Sequence, residues 1–185
     1  MIKPADLIAP IQFAEKTTLD HPLEHLTACH RRIEERLATL ERVIPYFAAE
    51  KREEALSAVE SSLRFFDTNG SWHTADEEES LFPRIAAGLT EEERGFVAKL
   101  EAQHQEAEGV YVRLKEAASE LKKESPCSQE RIEEYAALCR RLCAIYREHI
   151  KAEDGRIPEI GKRVLSAAEL EQISQEMKLR RGLQS

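Results

Sequence analysis

The sequence predicts an all-α fold: an antiparallel up-down four-helix bundle with an N-terminal arm and a short C-terminal helix. Three observations carry this. Apolar residues recur at steps of three and four through four long segments. Proline, glycine, serine and threonine fall at the joints between those segments. The composition, 34% charged and 6% aromatic, suits long amphipathic helices and offers little β signal. Short joints make consecutive helices antiparallel neighbours.

Residues 1–20, with Pro4 and Pro10 and weak periodicity, read as an arm across the domain. Residues 21–165 read as the bundle and 166–185 as a C-terminal helix and tail. Asp20 and Pro22 supply an N-cap and an early-turn proline for the first helix. Its stripe is Leu23, Leu26, His30, Ile33, Leu37, Leu40 and Ile44, and it stops near Pro45. A second helix starts at about Lys51 and runs through Val59, Leu63 and Phe66 to His73, Glu77 and Leu81. Asn69-Gly70-Ser71 predicts an irregular turn within it, and Pro83 and Gly88 close it.

Thr90 with Glu93 forms a capping box for the third helix. That helix carries Val97, Leu100, His104, Tyr111, Leu114 and Leu121 and breaks at Ser125-Pro126. Ser128 opens the fourth, with Tyr135, Leu138, Leu142, Tyr146, His149, Glu153, Ile157 and Ile160 on one face and a kink expected at Pro158. Ser166 and Glu169 form a second capping box, for the tail helix.

The formal net charge of −8 repels phosphate backbones and argues against a nucleic-acid partner. No apolar run approaches the ~18–20 residues of a membrane span, and no export signal opens the chain. The expected location is the cytoplasm. Cys29, Cys139 and Cys143 read as reduced core residues, with Cys127, beside Pro126 and Ser128, the candidate for a reactive loop thiol.

Four of the six histidines are followed four residues later by glutamate: His30/Glu34, His73/Glu77, His104/Glu108 and His149/Glu153. Residues at i and i+4 share a helix face, so each pair can offer nitrogen and oxygen at one point. Four helices offering such pairs match what a two-metal site inside a bundle requires. At roughly 100° per residue, all four histidines fall within about 40° of their stripe centres. His21 and His25 fall on the far side of the first helix. Glu77 and Glu153 lie nearly on the stripe centre, where an uncompensated carboxylate costs several kcal/mol. No lysine or arginine shares their stripes, so a di- or trivalent cation is the natural compensator. Glu34 and Glu108 lie roughly 70° off centre, at the edge of the buried face. Glu34 reads as a surface ion-pair residue, and Asp76-Glu77-Glu78-Glu79 as a solvated face with Glu77 turned in.

Ala28–Glu34, His73–Pro83, Leu100–His104 and His149–Glu153 together resemble the hemerythrin family, also called the HHE cation-binding domain. The resemblance covers about residues 22–165 and implies two oxo- or hydroxo-bridged irons. His30, His73, His104 and His149 match the family's ligand histidines, and Glu77 and Glu153 its bridging carboxylates. The oxygen carriers of the family place a second histidine where this chain has Glu108. If Glu108 is a seventh ligand, a third carboxylate favours ferric iron and counts against oxygen carriage. The expected function is a di-iron protein that binds, senses or reacts with oxygen, nitric oxide or a peroxide. The alternatives are a metal-dependent signalling or binding module, iron storage or delivery without turnover, and a bundle holding structural zinc, another divalent metal or no metal. The basic stretch Lys178–Arg181 leaves room for a protein partner.

Overall fold

A computed structural model describes residues 19–123 and 126–183. Most of the expected arm, and Ser125 at the third joint, lie outside these residues. The described chain is all helical. Its elements are α1 (Pro22–Arg42), α2 (Arg52–Phe65), α3 (Ser71–Ala75), α4 (Phe82–Ile85), α5 (Glu91–Lys123), α6 (Gln129–Val164) and α7 (Ala167–Arg180). No helix among the described residues is long and apolar enough to cross a membrane.

α2, α3 and α4 form one helical rod with two wide π-type turns, Phe66–Gly70 and Asp76–Leu81. Helical dihedrals persist through every junction. The first wide turn covers most of the irregularity that Asn69-Gly70-Ser71 predicts. The second has no glycine to announce it. Pro83 does not close the rod. It sits at the start of α4, directly after the second wide turn, where the missing N–H is tolerated. The rod ends at Gly88, and a Cβ there would meet Val164 Cγ1 at 2.5 Å, so the end of α6 packs against bare backbone.

Both capping boxes form. Thr90 N–H donates to Glu93 at 2.8 Å and Glu93 N–H to Thr90 Oγ1 at 3.2 Å; Ser166 and Glu169 do the same for α7. The first helix differs from expectation. His21, not Asp20, is its N-cap residue, with no side-chain cap, and Pro22 takes the first turn. Asp20 is instead bound by Lys178 at 2.6 Å. Pro158 stays inside the unbroken α6.

Cross-helix partners ascend on one element as they descend on the next. Between α1 and α6, His30 meets Asp154 and Glu41 meets Arg147. Between the rod and α5, Glu60 meets Lys122 and Glu78 meets His104. Between α5 and α6, Glu92 meets Arg156 and Glu106 meets Arg141.

The core has two parts. One includes Ile33, Leu37, Leu40, Phe47, Leu114, Tyr135 and Leu142. The other includes Leu23, Leu26, Leu81, Phe82, Leu100, Ile160 and Met177. On α1, the rod, α5 and α6 alike, the histidines singled out above fall where the chain passes from one part to the other. A buried polar layer therefore divides the apolar interior.

Candidate metal centre

Each helix reaches this layer by its own stripe. His30 follows Leu26 on α1, His104 follows Leu100 on α5, and His149 and Glu153 stand a turn apart on α6. On the rod, α3 holds His73 and the second wide turn holds Glu77. Asp76 and Glu77 are both fully buried although adjacent. A single helix face cannot accommodate both, so Glu77 enters the layer while Asp76 turns to α7.

Two groups of donors form. One atom each from His30, His73, Glu77 and Glu153 lies within 4.8 Å of the others, and so do atoms of Glu77, His104 and His149. Glu77 belongs to both. His73 Nε2 is 3.0 Å from Glu77 Oε1, and His104 Nε2 is 3.2 Å from Oε2, so the carboxylate spans the groups. His149 Nε2 lies 2.9 Å from Glu153 Oε2, which is 3.5 Å from His30 Nε2. The six residues are at least nine-tenths buried. Yet His30 Nε2, both Glu77 oxygens and Glu153 Oε2 form no hydrogen bond. Buried polar atoms are normally satisfied, and orphans converging on one place fit a cation. Mixed imidazole and carboxylate donors suit a first-row transition metal.

The outward nitrogens show how two of the rings are aimed. His30 Nδ1 is 2.7 Å from Asp154 Oδ1, and His104 Nδ1 is 2.8 Å from Glu78 Oε1. Carboxylates in this position fix the tautomer and raise the basicity of a ligating imidazole. Sequence reasoning missed both. The usable signal was their place immediately after Glu153 and Glu77.

Glu108 is not brought into either group. Its side chain is exposed and lines an open cavity of about 610 Å³ that reaches His104, with Phe66, Gly70, Glu78, Tyr111 and Tyr146 among its walls. The cause is its place at the edge of the α5 stripe. The case against oxygen carriage that needs a third carboxylate at the metals therefore loses its basis. Glu34 pairs with Arg31 at 3.7 Å on the surface, as expected. His21 is exposed, but His25 is buried, contrary to its expected outward position. Its ring faces Cys29: burial alone would push that thiol up, but hydrogen bonds to His25 and His73 hold it at about 5. None of the four cysteines is joined in a disulfide.

Charge within the layer is balanced by protons. Burial pulls His30 down, but the hydrogen bond to Asp154 and the facing Glu153 carboxylate outweigh it and raise the ring from 6.5 to about 9. His73 and His104 are also raised despite burial, chiefly by Glu77. Burial pushes Glu77 up, but the facing His73 and His104 hold it well below the carboxylate range. A folded pKa above the unfolded one gives stability that is complete below pH 6.5 and lost as pH rises through 9. Metal-free protein is therefore expected to lose roughly 5–10 °C of Tm between those limits. Calorimetry across that range checks it. A flat or rising Tm would show that His30 is not held protonated by its carboxylates.

The family model for the hemerythrin HHE cation binding domain matches residues 21–158. No curated protein matches the chain.

Proposed function

The chain belongs to the hemerythrin HHE cation-binding family, and from that premise we propose that it is a di-iron protein that binds, senses or reacts with a small neutral molecule such as oxygen, nitric oxide or hydrogen peroxide. The single observation that carries this is the pair of donor groups sharing Glu77. In this reading His30, His73, Glu77 and Glu153 hold one iron, and Glu77, His104 and His149 hold the other. α1, the rod, α5 and α6 form the family's antiparallel up-down four-helix bundle around them. Bound there, iron supplies one-electron redox chemistry and open coordination positions.

The protein's part is selection and access. Fewer protein donors on the His104 side leave more room for a ligand, and the cavity arrives on that side. Glu78 and Glu108 on its walls repel anions, while Phe66, Tyr111 and Tyr146 give a small uncharged molecule an apolar path. Neutral ligands are therefore favoured over superoxide or nitrite. The net charge of −8 keeps the protein away from nucleic acid in the same reading.

The test is anaerobic ferrous loading followed by metal analysis and absorption spectra before and after each gas or peroxide is added. About two irons per chain are expected, with near-ultraviolet absorption after oxidation and a spectral change saturating at about one ligand per pair of irons. Folded protein that retains only traces of iron would overturn the reading. Full loading without a response to any of these ligands would leave a metal-storage protein.

A further inference from the structure

α7 lies beyond the residues matched by the family model, which end at 158. It packs through Ile173 and Met177, both fully buried among Leu81, Phe82 and Ile85. Its polar contacts have a narrower target. Arg181 Nη2 donates to Asp76 Oδ2 at 2.6 Å and Nη1 to Oδ1 at 3.2 Å, and Arg180 Nη1 also donates to Oδ1. Arg180 Nη2 reaches Glu79 Oε2 at 3.0 Å and Ser80 Oγ at 3.2 Å. Asp76, Glu79 and Ser80 all belong to the wide turn that carries Glu77. The Arg181 guanidinium also lies 5.4 Å from the centre of the Trp72 ring, one residue before His73.

That turn needs outside support. A wide turn departs from the regular helical ladder, and this one opens with four acidic residues in a row, Asp76 to Glu79. Asp76 is fully buried, so its charge must be met inside the protein. Two guanidinium groups meet it, and a planar fork fixes direction as well as charge. The peptide between Asp76 and Glu77 is thus gripped on the α7 side, while the Glu77 carboxylate faces the donors on the other. The remaining tail cation, Lys178, is bound to Asp20. The basic stretch is used within the chain.

We propose that Arg180 and Arg181 are positioning residues for the metal centre: by gripping the second wide turn from α7, they set the direction in which Glu77 presents its carboxylate to both donor groups. This rests on the reading of Glu77 as a metal ligand. Displacing Glu77 leaves three donors in the His30 group and two in the His104 group, so the His104 side loses its metal first.

The experiment compares the parent with the double variant Arg180→Ala/Arg181→Ala, with Arg181→Lys, and with Lys178→Ala. The last removes the hydrogen bond from α7 to Asp20, at 2.6 Å, which lies outside the wide turn. The double variant is expected to fall from about two irons to about one, and the remaining iron should leave to a chelator about tenfold faster. Arg181→Lys keeps the charge but loses the fork and should leave about threefold faster. Lys178→Ala should match the parent. Should the double variant fail to fold, Arg181→Lys alone decides. Parental iron retention in Arg181→Lys and the double variant, or equal losses in Lys178→Ala, would overturn the proposal. Hydrogen exchange over residues 74–82 of metal-free protein provides a reading independent of iron. Faster exchange there in Arg181→Lys, but not in Lys178→Ala, supports the grip even if the parent holds no iron and the di-iron reading fails. Unchanged exchange counts against the grip.

Discussion

Glu77→Ala should abolish the two-metal centre, taking iron from about two per chain to about one or fewer. Its carboxylate belongs to both groups, 3.0 Å from His73 on one side and 3.2 Å from His104 on the other. Its removal leaves His104 and His149 as a pair of imidazoles, too few for a stable site, and lowers the other group from four donors to three. Glu153→Ala removes a donor of the four-membered group and the carboxylate 2.9 Å from His149, and should also take iron below about two per chain. Glu34→Ala, at a half-buried position paired with Arg31, and Glu108→Ala, on an exposed side chain, should load like the parent. Metal analysis after anaerobic loading decides this. Equal losses across the four variants would mean that the sharing of Glu77 does not govern metal binding.

Stripping the metal from loaded protein should lower Tm by about 10 °C. A ligand present at a thousand times its dissociation constant stabilises the native state by about 4 kcal/mol, and each kcal/mol is worth about 2–4 °C in a protein of this size. The layer is suited to such an effect, since the orphaned atoms of His30, Glu77 and Glu153 gain partners when a cation arrives. Loading must also displace protons from His30, His73 and His104, so the gain in Tm should grow as pH rises from 6.5 towards 9. Calorimetry with and without chelator, at two pH values, measures both. A shift below about 2 °C would mean that metal binds no better to the folded chain than to the unfolded one.

Most of the helical plan and the histidines were legible because both depend on period. A 3.6-residue repeat interrupted by His30, His73, His104 and His149 at inward phase points each ring at the interior, whatever the neighbouring helices do. Glu77 and Glu153 were legible for the same reason. The misreadings arose where period fails. A wide turn shifts the phase of everything after it. The extrapolated stripe therefore left Asp76 on a solvated face, whereas the second wide turn buries it against α7. His25 was placed by the phase of α1 alone. Its burial needs a neighbour from another element, here the rod, whose His73 bonds Cys29 one turn from His25 on α1. Glu108 shows the opposite limit. A residue about 70° from the stripe can reach inward only if its neighbours leave room, and at that edge the neighbour is an open cavity.

Asp154 and Glu78 were illegible for a further reason. Each follows a core glutamate and on a helical wheel looks like a solvent-facing acid. Each is tied to the layer by a ring on another helix: His30 on α1 for Asp154, and His104 on α5 for Glu78. No single-helix periodicity contains that information.

The donors divide the apolar interior at one level on α1, the rod, α5 and α6, and this bears on how the helices align along their axes. Apolar side chains are forgiving of sliding, because a leucine one turn away packs nearly as well as its neighbour. Imidazoles and carboxylates are not. A helix displaced by one turn, about 5.4 Å, would set His30 against the level of Leu26 or Ile33, or bring Glu77 opposite Leu100 without a partner. Each slip would strand a buried charge among hydrocarbons at a cost of several kcal/mol. The layer thus acts as an axial pin, as a single buried asparagine does in a coiled coil. Filling it with leucine would give a bundle with a better apolar core and less reason to choose one alignment over another.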